Sequence, residues 1–172
     1  MRPDIGRRSV LGGLAASALV AGQARADEVT FGAYDAFTLY NAEGPFLKDE
    51  VILLFHGFAS AMPNGAYKGL YAAFSERFSI IGFNYDYFDL DRNDTLMESV
   101  WTTLLKDRDV TFAGTSLGGF QANYYAEHYS VPRAVLVNPV VDPVVQLAQF
   151  TGQVRVEKRG LDLTVTEADL MR

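Results

Sequence analysis

Short, uninterrupted apolar runs alternate along this chain with stretches whose apolar positions recur at helical spacing. The run Val51-Ile52-Leu53-Leu54-Phe55 lies between Lys48-Asp49-Glu50 and His56-Gly57. A strand with no polar face must be buried on both sides, so this run predicts a central strand of a parallel sheet. Residues 79–84, 110–113 and 134–138 are runs of the same kind, and residues 66–77, 96–106 and 117–128 between them predict helices. Strand and helix in alternation predict an α/β fold with a mostly parallel, doubly wound sheet. Residues 29–34 and 37–41 predict an opening hairpin. Asp94 is expected to cap the helix that follows it, Pro132 to mark the end of the third helix, and residues 166–171 form a final helix-like run.

The first 26 residues stand apart from this pattern. Arg7-Arg8 precede an apolar stretch of small residues over 10–21, which ends in Ala24-Arg25-Ala26. That order predicts a secretory signal of the twin-arginine type, cleaved after Ala26. The apolar stretch, interrupted by Gly12 and Gly13, is shorter than the roughly 20 residues a membrane span needs, so no stable anchor is expected. The expectation is a periplasmic or secreted protein that meets the twin-arginine export machinery in passing, with residues 27–172 as its single domain.

Composition narrows the chemistry. The 172 residues include no cysteine and two histidines, which excludes thiol chemistry and disfavours zinc and iron–sulfur sites. A net charge of −6 gives nucleic-acid binding no electrostatic support, and losing residues 1–26 removes four arginines against one aspartate. The carboxylates Asp86, Asp89, Asp91 and Asp94 begin like a calcium loop, but Asp94 stands where the loop needs glycine and Val100 where it needs glutamate. They are read as a solvated acidic loop, and no metal site is expected. Phe83, Tyr85, Tyr87 and Phe88 follow a strand's carboxyl end, as core aromatics or as an apolar substrate wall.

The sharpest signal is Gly114-Thr115-Ser116-Leu117-Gly118-Gly119, between the strand at 110–113 and the helix from 117. A serine on a tight strand-to-helix turn needs minute neighbours two residues to either side, so that adjoining backbones can approach while its hydroxyl projects. The helix N-terminus adds partial positive charge and brings the Leu117 N–H to the place where an oxyanion forms. The plainer reading is a glycine-rich turn with Ser116 as an N-cap.

A second motif lies 60 residues upstream, where the apolar strand runs into His56-Gly57-Phe58-Ala59-Ser60. It resembles the oxyanion loop of α/β-hydrolases. With the G-T-S-L-G-G elbow, Ser116-Leu-Gly-Gly-Phe-Gln-Ala-Asn-Tyr-Tyr-Ala and Val137-Asn138-Pro139, the chain resembles the small bacterial YqiA-like esterases over residues 51–153. The resemblance implies neighbouring strands for the two motifs, Ser116 as acyl-enzyme nucleophile and the Phe58 and Leu117 N–H groups as oxyanion hole. Gly57, Gly114, Gly118 and Gly119 support the turn, and small or medium acyl esters are cleaved without metal or cofactor. His56 reads as a loop residue bonded to backbone rather than a general base.

One departure matters. The family carries its acid and then its histidine on later strands, whereas after Ser116 this chain has only His128, about 18 Å further along the same helix. Asp142 follows the strand at 134–138, where some hydrolases carry the acid, but lies near Pro139 and Pro143 and reads equally as a turn residue. The expectation is a fragment of a longer hydrolase that lacks its last strands; the alternative is a catalytically inactive hydrolase-like binding protein.

Overall fold

The computed structural model describes residues 28–30, 38–42, 46–157 and 160–170. The export signal expected over 1–26 lies outside them. Six strands form one sheet: β1 (Glu28–Thr30), β2 (Thr38–Tyr40), β3 (Glu50–Phe55), β4 (Ser79–Phe83), β5 (Asp109–Thr115) and β6 (Ala134–Val137), in the order β1-β2-β4-β3-β5-β6. β1 and β2 form the expected antiparallel hairpin, and β2 runs antiparallel to β4. The pairs β4–β3, β3–β5 and β5–β6 are all parallel. The strands bearing the two motifs are therefore neighbours, with Phe55 opposite Gly114, so both motifs leave the sheet at the same carboxyl end.

Helices cover both faces, as a doubly wound sheet requires. α1 (Gly65–Phe74) starts at Asn64, whose side chain accepts the Tyr67 N–H at 2.9 Å. It lies over Ile52, Leu54, Ile80 and Ala113. The alternate strand residues Val51, Leu53, Phe55, Ile81, Phe83 and Phe112 point the other way, into the main core with α2 (Leu90–Val100) and α3 (Leu117–His128). α2 widens into a π-helical turn over Trp101–Leu105. On the α1 face a groove of about 680 Å³ stays open, lined by Leu54, Leu70, Phe74, Val135 and Val137, with the Arg77–Glu50 pair at its rim.

α2 corrects the sequence reading. It begins at Leu90 and is capped by Asp89, which accepts the Arg92 N–H at 3.0 Å. Asp94 is thus inside the helix and caps nothing; it accepts the Tyr124 hydroxyl at 3.1 Å and ties α2 to α3. Burial and that carboxylate hold the Tyr124 phenol above its ordinary range. The expected acidic loop is thus largely helical, with Asp91 in the first turn of α2, and only Asp86 stays in a turn, accepting the Phe88 N–H at 3.0 Å.

Beyond β6 the chain makes elements of which the sequence reading expected only the last, a helix-like run over 166–171. α4 (Pro143–Leu147) and a 3₁₀ turn (Ala148–Phe150) lead to a hairpin of β7 (Gly152–Val156) and β8 (Leu161–Val165), then α5 (Glu167–Leu170). Their buried residues Leu147, Val156, Val165 and Leu170 join the core on the α3 side.

Candidate active site

The elbow is held by contacts that leave no room for side chains. A Cβ on Gly114 would lie well inside contact with the Gly118 carbonyl, and one on Gly118 would overlap the Phe55 and His56 carbonyl oxygens. One on Gly119 would come within 2.8 Å of the Pro139 ring. α3 therefore sits directly on the end of β3. Ser116, the residue between β5 and α3, is forced to φ 54° and ψ −124°, a region costly for any residue with a Cβ.

The serine is exposed while its backbone is fully engaged. Its N–H donates to Val137 O at 3.0 Å, and its carbonyl accepts from Gly119 at 2.9 Å and Val140 at 3.0 Å. Its side chain makes no capping hydrogen bond, so the plainer N-cap reading does not describe it. Leu117 is the first residue of a twelve-residue helix, where N–H groups have no intrahelical acceptor and the dipole favours negative charge.

The loop after β3 meets the elbow face to face. A Cβ on Gly57 would be 3.4 Å from the Ser116 Cβ and 3.9 Å from its Oγ, so this glycine borders the hydroxyl. Ala59 takes φ 53°, and Ser60 N–H donates back to Gly57 O at 3.3 Å, closing a tight turn around Phe58. The Phe58 ring packs at 5.3 Å from Tyr87, 5.9 Å from Phe88 and 5.2 Å from Phe150. Neither the Phe58 nor the Leu117 N–H has an acceptor among the described residues.

His56 is fully buried; its ring stacks on Tyr85 at 4.6 Å and meets the edge of Tyr87. Its Nδ1 lies 2.8 Å from the Gly57 carbonyl, which can only accept, so that nitrogen carries the proton. The Tyr85 hydroxyl donates to the His56 carbonyl at 2.6 Å, and that of Tyr87 to the Ser60 carbonyl. The four aromatics thus divide: Phe83 and Tyr85 are wholly core, whereas Tyr87 and Phe88 also line a cleft beside Leu117. His128 ends α3, stacked against Tyr124 and edge-on to Tyr129, remote from Ser116. Asp142 caps α4, accepting the Val145 N–H at 3.1 Å. Among the described residues no cluster of three or more His, Asp and Glu is arranged to hold a metal ion.

Residues 51–170 match the family described as "Uncharacterised protein family (UPF0227)". No curated protein matches the chain. Among solved structures it is similar to the capsule O-acetyltransferase of Neisseria meningitidis serogroup A at 14% identity, with a TM-score of 0.53 over 71% of this chain and 54% of that one. The same enzyme in complex with caged gadolinium gives 14% identity and a TM-score of 0.51, over 71% of this chain and 55% of that chain. The chain spans about half the length of these neighbours, and the likeness is one of fold.

Proposed function

The chain belongs to the UPF0227 family, that of the YqiA-like proteins it resembles, and we propose that it is an acyl-ester hydrolase acting through Ser116. The observation that carries this reading is the strained Ser116 turn, exposed at φ 54° and bordered by Gly57, with the Leu117 and Phe58 N–H groups unengaged beside it. Strain of this kind persists only where the surroundings enforce it, and it is characteristic of reactive sites.

In the proposed reaction the Ser116 Oγ forms a bond to the acyl carbon of a small or medium ester, and the carbonyl π pair moves onto oxygen. The two N–H groups receive that oxyanion. Its collapse breaks the bond to the alcohol oxygen, which leaves with a proton, and a water then repeats the sequence on the acyl-serine to release the acid. The serine proton passes to solvent water, since no described side chain is placed to take it. His56 is committed to Tyr85 and the Gly57 carbonyl, and His128 is at the far end of α3. With no imidazole beside it the Ser116 hydroxyl stays largely protonated, so turnover through an acyl-serine is slow.

Hydrolysis of p-nitrophenyl acetate and butyrate by the 172-residue chain tests this. The expected outcome is slow turnover that Ser116→Ala abolishes and added imidazole raises only while Ser116 is present. Turnover indifferent to Ser116→Ala would overturn the reading. The placement of His56 against the Gly57 carbonyl and of His128 at the end of α3 favours a second reading, a hydrolase-like binding protein; a Ser116 unlabelled by fluorophosphonate even with imidazole would select it. We also propose export by the twin-arginine route to the periplasm or beyond, on the strength of Arg7-Arg8 and the Ala24–Ala26 site. Replacing both arginines with lysine should retain precursor in the cytoplasm, and an unchanged yield of exported protein would refute it.

A further inference from the structure

A cleft of about 270 Å³ opens beside Leu117, walled by Tyr87, Phe88, Leu117, Leu147 and Leu170, with Gln121 as its one buried amide. It adjoins the proposed oxyanion site through Leu117, Tyr87 and Phe88. Leu117 supplies one N–H, and Tyr87 and Phe88 hold the ring of Phe58, which supplies the other. Gln121 lies one turn further along α3 than Leu117, about 6 Å of helix rise. It is 1% exposed, and its Oε1 has no hydrogen-bond partner among the described residues. Buried polar atoms are nearly always paired, which leaves this one open to a donor from a ligand in the cleft.

We propose that this cleft receives the acyl group of the ester, and that Gln121 selects acyl groups bearing a hydroxyl a few carbons from the scissile carbonyl. The proposal takes the position of that carbonyl from the reading of Ser116 given above. The volume fits a medium acyl group: a 150 Å³ cavity holds a benzene, and this one is less than twice that size, too small for a long lipid chain. A primary amide presents acceptor and donor side by side, so whichever way it is turned, a hydroxyl can answer it. A carboxylate tail is disfavoured because Asp169, fixed by the Thr166 N–H at 2.8 Å, also lines the cleft.

Hexyl methyl ketone and its ω-hydroxy counterpart of equal length, neither of them hydrolysable, can be compared by ligand-observed NMR on the full chain. The expected result is about tenfold tighter binding of the hydroxy ketone, a preference that Gln121→Leu abolishes or reverses. Val144, 42% exposed at the cleft, offers a variant that leaves the core intact, and Val144→Trp should weaken both ketones. Tighter binding of the plain ketone, a preference that survives Gln121→Leu, or no saturable binding of either would overturn the proposal. Failure of the hydrolase reading is seen separately, as ester turnover indifferent to Ser116→Ala, and leaves the ketone comparison intact.

Discussion

α3 and α1 cover opposite faces of the same strands and make contact by different means. α3 touches backbone: Gly118 has the Phe55 and His56 carbonyls against it and Gly119 has Pro139, while Phe55 and Phe112 beneath are fully buried. α1 brings no glycine to the sheet, and its Gly65 and Gly69 face solvent. Neither has anything within 4 Å of an added Cβ, and beside α1 Val135 and Val137 remain 54% and 50% exposed along the open groove. The run Val51–Phe55 feeds both faces with equally apolar side chains, so hydrophobicity does not separate them. Glycine does. Close approach is reserved for the helix that begins at the strained serine, and the other helix packs through side chains alone.

The comparison breaks most directly at the glycines themselves. Gly118→Val is expected to displace α3 from β3 and abolish cooperative unfolding, whereas Gly69→Ala should stabilise by about 0.5–1 kcal/mol through helix propensity; urea titration followed by circular dichroism reads both. An unchanged midpoint for Gly118→Val would mean that the close approach is dispensable. One step smaller, Phe112→Ala on the covered face should cost about 3–5 kcal/mol and Val135→Ala on the open face less than about 0.5 kcal/mol. Equal costs would show the groove to be covered in solution.

Ser116→Gly should raise stability by about 1 kcal/mol, since glycine adopts φ 54° freely, while removing Ser116-dependent ester turnover. The smallest effect belongs to the groove rim. There the hydrogen bond from Arg77 holds the Glu50 carboxyl below its ordinary value, outweighing the opposite pull of desolvation. A lowered carboxylate contributes stability above its unfolded pKa and loses it as pH falls through the folded one. Glu50→Gln should therefore flatten slightly the acid side of the melting-temperature profile, by little because the pair is exposed.

What the sequence made legible follows from how each element is stabilised. β3 and α3 were readable from apolar runs and glycine spacing, and Ser116 from its motif, because steric necessity leaves a pattern in residue types. The start of α2 was not, because Asn93, 1% exposed, anchors it through polar bonds to the Asp86 N–H and carbonyl, at 2.8 and 2.7 Å. A buried asparagine looks like surface in a hydrophobic pattern. Gln121 was hidden for the same reason. The β7–β8 hairpin carried an available signal in the alternation of Val154 and Val156 with Leu161, Leu163 and Val165 about Gly160. Asp142 kept its two readings; it caps α4, which the neighbouring prolines foreshadowed.

The Ser116 amide is bonded to Val137, and among the described residues β6 is the outermost strand on its side of the sheet. Deuterium from solvent can replace the hydrogen on that amide only when β6 parts from β5, an event commonest at sheet margins. That bond thus lasts only as long as a four-residue ribbon stays attached. Each transient peeling of β6 releases that amide while the Gly119 bond to the Ser116 carbonyl and the contacts of Gly118 with β3 persist, so the breathing of the periphery reaches the turn through one hydrogen bond.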